Sequence, residues 1–551
     1  MKKILNFFLL FIVISVYSQE KPTFFGGFES NAQWYLNDKA LKVGQPDSPV
    51  RSNNYLFLNS KYKKFSAGIQ IESYEQKALL NFNPGYKNTN FGTYFLKYQD
   101  KIIDLTAGYF YEQFGSGLLF RGWEDRSLGI NNALRGGRAI LKPTDYLTLK
   151  AIYGQQRSGF EVANSKIYGA DLELVLSDVF KFKTTEISLG FSYVGRDETT
   201  TITNPNFNAL TNTLATRLNF SNQSFYASTE FNYKSNDAVV QQSGQPENDF
   251  IKPGSALLLN VGYSKKGFGL DGSFRRLENM SFFSERSAKG NTFNDKILNF
   301  MPSLTKQHHY NLANIYVYQS QPNVILADIS LVKAGEIGGQ LDVFYDFKKG
   351  SKLGGKYGTK LAFNFSNWNA LSGNFQINNP KAYQTDFFGF GKKYFSDYNL
   401  EITKKWNSKW QTIFAYINQY YNKKLIEETV GLVKTNILAA EATYKITASK
   451  SVRVVAEHLW ADADKKNWAS STAEFNINPK WSVFASDMYN YGNDNVEKRH
   501  HYYNFGTAYR KSATRVSLSY GRQRGGLICV GGVCRIVPES SGVALSFNTS
   551  F

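Results

Sequence analysis

"KIIDLTAGYFYE", residues 101–112, alternates with a period of two. Ile103, Leu105, Ala107, Tyr109 and Tyr111 share one face, and Asp104, Thr106, Gly108 and Glu112 share the other, with Phe110 the one exception. Successive side chains of a strand point to opposite faces, so this pattern is a strand with one apolar and one polar side. "KIYGADLELVL" (166–176), "EISLGFSY" (186–193) and "TRVSLSYG" (514–521) repeat it. None of these is the continuous apolar run of a strand buried on both faces.

The connections between such strands are ordered too. Short polar turns fall at 63–66, 99–100, 143–145, 176–184, 220–223, 264–267, 348–358, 406–408, 447–450, 478–480 and 511–513. Longer excursions separate them, among them 37–52, 75–89, 113–137, 195–209, 235–253, 277–335, 367–395, 422–433, 491–500 and 525–540. Short and long alternate along the whole chain, as in an up-and-down transmembrane barrel with turns on one side of a membrane and loops on the other. Counting strands between connections predicts 24, from about 23–36 to 541–551, an even number that leaves both termini on the periplasmic side. The closing "SGVALSFNTSF" puts Val543, Leu545, Phe547, Thr549 and Phe551 on one face and ends on an aromatic. Such an ending resembles the recognition signal of bacterial outer-membrane barrels.

The competing fold is a secreted multi-sandwich or propeller. It would have polar outward faces, turns of similar length at both ends, and no use for tyrosine-rich strand ends. Tyr416, Tyr420, Tyr421, Tyr502 and Tyr503 suit the interfacial girdles of a membrane barrel instead.

Composition bounds the class. Phe (44) and Tyr (35) are abundant, Pro (13) and Met (4) are scarce, and the mean hydropathy is −0.38. "MKKILNFFLLFIVISVYSQE" has two lysines, an apolar run from Ile4 to Val16 and a polar flank, which is the layout of a secretory leader. Its 13 apolar residues fall short of the roughly 20 that a spanning helix needs. The expected division is a signal peptide over 1–18 and a single barrel domain over 19–551. The formal charge of +19 becomes +17 once Lys2 and Lys3 leave with the leader. There are no basic runs to mark a nucleic-acid-binding tail, and an exported chain meets no nucleic acid. The charge points to anionic solutes in the lumen or to lipid phosphate and lipopolysaccharide at the surface.

"GLICVGGVCRIV" (526–537) holds the only two cysteines, Cys529 and Cys534. Gly531-Gly532 can supply the positive φ values of a type I′ hairpin turn, which sets Cys529 opposite Cys534. In an oxidising compartment the pair can form a disulfide stapling an exposed loop tip. Two reduced thiols or a redox pair are the alternatives, though C-x4-C is not a redox spacing.

Two loops carry the candidate site. "EQFGSGLLFRGWEDRSLGINNALRGGR" (112–138) combines Arg121, Arg126, Arg135 and Arg138 with Glu112, Glu124 and Asp125, among apolar residues unsuited to open water. Folded into a lumen, these charges can form a selecting constriction or plug network, or simply tie the loop to the wall. The stretch 277–335 is far longer than an ordinary connection. It carries His308, His309, Tyr310, Tyr316 and Tyr318, a set able to bind sugars or peptides or to pack a plug. Adjacent histidines cannot both face one metal from a strand, so no metal or cofactor is expected. Asp104, Asp171, Glu173 and Arg515 are expected to line the lumen.

"GSKLGGK" (350–356) mimics a phosphate loop, but Tyr357 stands where Ser or Thr is required, and a hairpin turn is the better reading. "DADKKN" (462–467) and "GNDN" (492–495) have calcium-loop composition or that of plain solvated turns. No G-x-S-x-G or H-E-x-x-H occurs, and the chain reads as non-enzymatic; an embedded hydrolase of scattered Ser, His and Asp is a remote alternative.

"EQFGSGLLFRGWEDRSLGINNALRGGRA", "LTKQHHYNLANIY" and "GGLICVGGVCRIVPESSGVALSF" resemble an uncharacterised family of Bacteroidota outer-membrane β-barrel proteins, known only as a domain of unknown function. The leader ending "SVYSQE" is similar to those of exported proteins of that phylum. The resemblance spans nearly the whole mature chain. It implies an outer-membrane location and supplies no activity and no catalytic residue. Two function classes follow: a porin-like channel or solute-binding barrel, and a non-conducting scaffold of a cell-surface secretion or motility assembly. A receptor capturing glycan or peptide is a third.

Overall fold

The computed structural model describes residues 21–199, 207–240, 246–286, 293–325, 331–375, 382–429 and 431–551. The leader expected over 1–18 lies outside the described residues. Twenty-four antiparallel strands pair each with the next in sequence around a closed ring. Closure is made by the first strand, Thr23–Tyr35, which pairs on one side with Val50–Tyr62 and on the other with the last strand, Ser540–Ser550. The seam is complete to its tip, where Gly26 and Phe551 exchange backbone hydrogen bonds of 2.9 and 3.0 Å. A closed ring leaves no strand edge, so every ladder N–H and C=O has a partner without water, which is what permits strands in lipid.

Burial is inverted relative to a soluble protein. In Leu210–Asn222, Thr211, Thr213, Ala215 and Arg217 are buried inside, while Leu214 and Leu218 stand exposed outside. Leu58, Leu96, Leu105, Phe191, Phe414, Leu438, Phe505 and Leu545 continue the exposed apolar belt around the ring. Buried polar residues such as Gln70, Glu72, Asp171, Glu230, Asn364, Asp397 and Glu441 occupy the inner face. An apolar exterior over a polar interior is the pattern of a transmembrane barrel. Among the described residues no helix is long and apolar enough to cross a membrane.

The inner face is not polar all round, which departs from the expectation of strands with one apolar and one polar side. On the strands Glu336–Phe347 through Trp468–Asn476, inward Trp368, Phe395, Ile417, Ile437 and Leu459 are buried with Leu312, Ile315, Tyr316 and Tyr318 of the long loop. A hydrophobic core therefore lies inside the barrel, on one side. Tyr421 and Tyr502 belong to that core rather than to an interfacial girdle, and their hydroxyls donate to Glu427 (2.7 Å) and Glu539. Tyr416 does face outward and is 44% exposed.

Two boundaries also shift. The strand Leu134–Thr144 begins before the loop expected over 113–137 ends, and Phe268–Glu278 runs past the expected start of 277–335. Both Arg135 and Arg138 therefore sit on a wall strand rather than in a loop.

Candidate functional site

The segment between the strands Phe268–Glu278 and Glu336–Phe347 folds back into the barrel and meets wall and loops on nearly every side. Near its start it lies along the loop 111–133. Arg121 N–H donates to Leu298 O (2.8 Å), Phe300 N–H donates to Gly117 O (2.9 Å), and the Asn299 amide donates to Leu118 O and Met280 O. Asp295 accepts from Ser158 Oγ (2.6 Å) and Asn83 Nδ2 (2.9 Å), joining two loops and the end of the wall strand Leu147–Ser158 at one carboxylate. Burial, opposed by the Ser158 bond and nearby Arg157 and Lys296, pushes the Asp295 carboxyl up to about 6.

Deeper in, the segment is held by the inner wall. Trp368 Nε1 donates to Leu304 O (3.1 Å), Lys306 Nζ reaches Asn399 Oδ1 (2.8 Å), and His308 Nε2 lies 2.9 Å from Asp397 Oδ2. The short 3-10 turn Leu312–Asn314 starts on a wall carboxylate, with Asn311 and Leu312 N–H donating to the two oxygens of Glu457 (3.0 and 2.8 Å). Free N–H groups at a helical start are satisfied well by an anion. The return path is anchored by Tyr316 Oη to Asp464 (3.1 Å) and Tyr318 Oη to Glu336 (2.6 Å), and Arg275 pairs with the same Glu336 (2.5 Å).

The candidate residues thus take different roles. Arg126 joins Glu29 (2.9 Å), Glu124 (3.2 Å) and Gln70 across the lumen. Arg138 pairs with Asp104 (2.9 Å) and Glu112 (3.3 Å). Arg121 stacks over the Phe300 ring at 4.0 Å, and Asp125 accepts from Ser127 and Leu128 N–H to close a local turn. Arg135 departs from the expectation: it sits on the opposite strand face from Arg138, beside outward Tyr109, outside any lumen network. The odd spacing from Arg138 is the signal that separates them, because strand neighbours alternate sides. His309 is half exposed, stacks on Tyr310 at 4.1 Å and approaches Glu441 (3.8 Å). Tyr310, Tyr316 and Tyr318 are buried, so their faces pack the plug and are not an open platform for sugar or peptide.

Sequence reasoning missed a buried charge cluster at the wall. Arg196 and Arg286 both reach Asp237 (3.0 and 2.5 Å), Arg286 also holds Glu198, and Lys234 stands 3.7 Å from Asp237. Lys234 and Asp237 stand an odd number of residues apart and would fall on opposite faces by alternation. An irregularity in the strand pairing between them turns both inward beside Arg196, so parity alone could not have found the cluster.

Cys529 and Cys534 form a disulfide across Gly531 and Gly532, whose φ values are +57° and +79°. The turn is exposed at Val530 and Gly531, as expected from sequence, while one side of the hairpin is covered. Ser303 N–H donates to Gly532 O (2.8 Å), Cys534 is buried, and Arg535 lies over the Phe82 ring at 4.6 Å, so the staple rests on the plug. Asp464 and Asp494 of the two calcium-like turns are paired with Lys423 (2.8 Å) and Lys466 (2.7 Å). Among the described residues no group of three or more His, Cys, Asp or Glu is arranged to hold a metal ion.

Two chambers with charged side chains in their linings remain in the lumen. One chamber of about 490 Å³ is lined by Glu112, Lys150, Asp171, Glu173, Arg217 and Glu230, among others. A second of about 460 Å³ includes Gln70, Lys97, Thr106, Glu124, Arg126 and Arg138.

Residues 1–551 match the model of a family described as "Family of unknown function (DUF6029)", and the chain belongs to that family. No curated protein sequence matches it. Among solved structures it is similar to the P pilus usher (PapC) translocation pore, at 9% identity and TM-score 0.45, covering 96% of this chain and 99% of that one. It is also similar to the siderophore receptor PirA from Pseudomonas aeruginosa (9%, TM-score 0.40, 97% and 81%). A BenF-like porin from Pseudomonas fluorescens Pf-5 follows at 10%, TM-score 0.34, 82% and 96%. At these scores the likeness carries no argument, and the barrel assignment rests on the strand pairing itself.

Proposed function

We propose that this member of the family is an outer-membrane barrel, exported by its first 18 residues with both termini in the periplasm, that binds or passes small solutes through a lumen closed by its own long loop. The observation that carries the reading is the pair of chambers in the lumen, each with charges of both signs in its lining. A barrel used only as a wall has no need of charged, hydrated space inside, and charged side chains lining a passage set its selectivity. Several plug anchors are side-chain contacts to the wall, such as His308 to Asp397 and the Glu457 carboxylate to Leu312 N–H.

A second reading is a non-conducting scaffold of a cell-surface secretion or motility assembly. It is favoured by the aromatic core around Tyr318, which stacks within 5.8 Å of Trp368 and 5.4 Å of Phe395 as a permanent seal would.

Planar-bilayer recording separates the two. The gated barrel should show little conductance as the wild type and clearly more as Glu457→Gln combined with His308→Ala, which loosens the plug without touching the strand ladder. Silence in both proteins, with folding verified by heat-modifiable mobility, rejects passage and favours the scaffold.

A further inference from the structure

The eleven short connections carry ten of the chain's formal net charge of +19. They contain thirteen lysines, three aspartates and no arginine or glutamate, a surplus of ten positive charges. The long connections at the other end hold twenty Lys and Arg against eighteen Asp and Glu, and are nearly neutral. All thirteen lysines are exposed, and among the described residues only Lys64 has an ion-pair partner, Asp100 at 3.3 Å. The turn 348–358 alone supplies Lys348, Lys349, Lys352 and Lys356.

The depth of these lysines is marked by their neighbours. Exposed aromatics flank the same turns: Phe65, Phe180, Phe182, Trp406, Trp410 and Trp481. Lys64 Nζ lies 5.8 Å from the Tyr98 ring centre, and Lys360, just past the lysine-rich turn, lies 4.8 Å from that of Phe344. Outward aromatic rings at a strand end sit at the headgroup level of a bilayer, so the ammonium groups beside them stand at phosphate depth. Lysine places a compact, strongly hydrated charge on a flexible stem, suited to a fluid layer of phosphates rather than to one fixed partner.

We propose that this rim is a lysine collar that binds acidic phospholipids, through headgroup phosphates, in the leaflet bordering the short-turn end. It follows from the transmembrane barrel alone and is independent of whether the lumen conducts. Repeated lysines near a surface of anionic lipid add favourable electrostatic energy that falls off within a Debye length.

The test is native mass spectrometry of the full-length protein released from micelles containing equal phosphatidylglycerol and phosphatidylethanolamine. The wild type should retain phosphatidylglycerol in several-fold excess, and rising salt should erase that excess. Lys348→Gln, Lys349→Gln, Lys352→Gln and Lys356→Gln together should remove much of it. The same change at Lys39, Lys77, Lys87 and Lys498, four exposed lysines of the opposite end, should leave it intact. Equal retention of both lipids by the wild type, or equal loss in the two variants, overturns the collar. Binding to isolated peptidoglycan that the first variant abolishes, without any lipid preference, overturns the lipid assignment in favour of the cell wall.

Discussion

The hydroxyl of Tyr318, in the plug, donates to Glu336 at the start of a wall strand (2.6 Å), and both residues are fully buried. Glu336 also accepts from Arg275 Nε (3.1 Å) and Gln321 N–H (2.7 Å), so one carboxylate fastens the plug's exit to the barrel and neutralises a buried guanidinium. Glu336→Gln leaves Arg275 buried without its counter-charge, at an expected cost of about 3–5 kcal/mol. Tyr318→Phe removes only a hydrogen bond, at about 1 kcal/mol. Hydrogen exchange over 315–325 reads both, and the first should open this stretch far more than the second.

The cluster of Arg196, Lys234, Arg286, Asp237 and Glu198 sets three cations around two acids. Asp237→Asn should cost about 3–5 kcal/mol, because the remaining acid then faces three buried cations. The expected result is release of residues 281–286 from the wall, seen as early proteolysis there while the barrel keeps its folded gel mobility.

Asp295 gives the plug a pH dependence. Its carboxyl is raised to about 6 by burial, from an ordinary 3.8, so the folded contact favours the protonated form. Stability from this group is fully present below the ordinary value and is lost as pH rises through about 6, a change on the order of 3 kcal/mol. Protection of residues 293–299, corrected for intrinsic exchange, should fall between acid and neutral pH. Asp295→Asn should flatten that profile, and an unchanged slope would contradict the assignment.

Reducing the Cys529–Cys534 bond releases a closed loop of six residues, worth about 2 kcal/mol in chain entropy. The hairpin and its Ser303 contact should loosen, with faster exchange at 301–304, while the ladder and the heat-modifiable mobility stay as they were. Intact peptide mass without reductant should be two hydrogens lighter than the reduced form.

The barrel was legible because its information is local. In "KIIDLTAGYFYE" each residue declares its side by its parity, and each short turn declares the end of the barrel at which it sits. The apolar inner wall was less visible, although "TIFAYINQYY" (412–421) already shows Ile413, Ala415 and Ile417 apolar on the face opposite Phe414 and Tyr416. Two apolar faces mean that both are covered, and only one of them can be covered by lipid.

The sequence by itself determined strand alternation, the ring of 24, the hairpin that brings the two cysteines together and the lysines of the short turns. Only the tertiary structure decided that the long loop turns inward, that Arg135 and Arg138 part company, and that the cysteine hairpin lies on the plug. The reason is range: parity and turn chemistry act between neighbours, whereas contacts such as His308 with Asp397 join residues 89 apart. Such contacts exist only once the closed wall has set the inner surface against which the loop can pack.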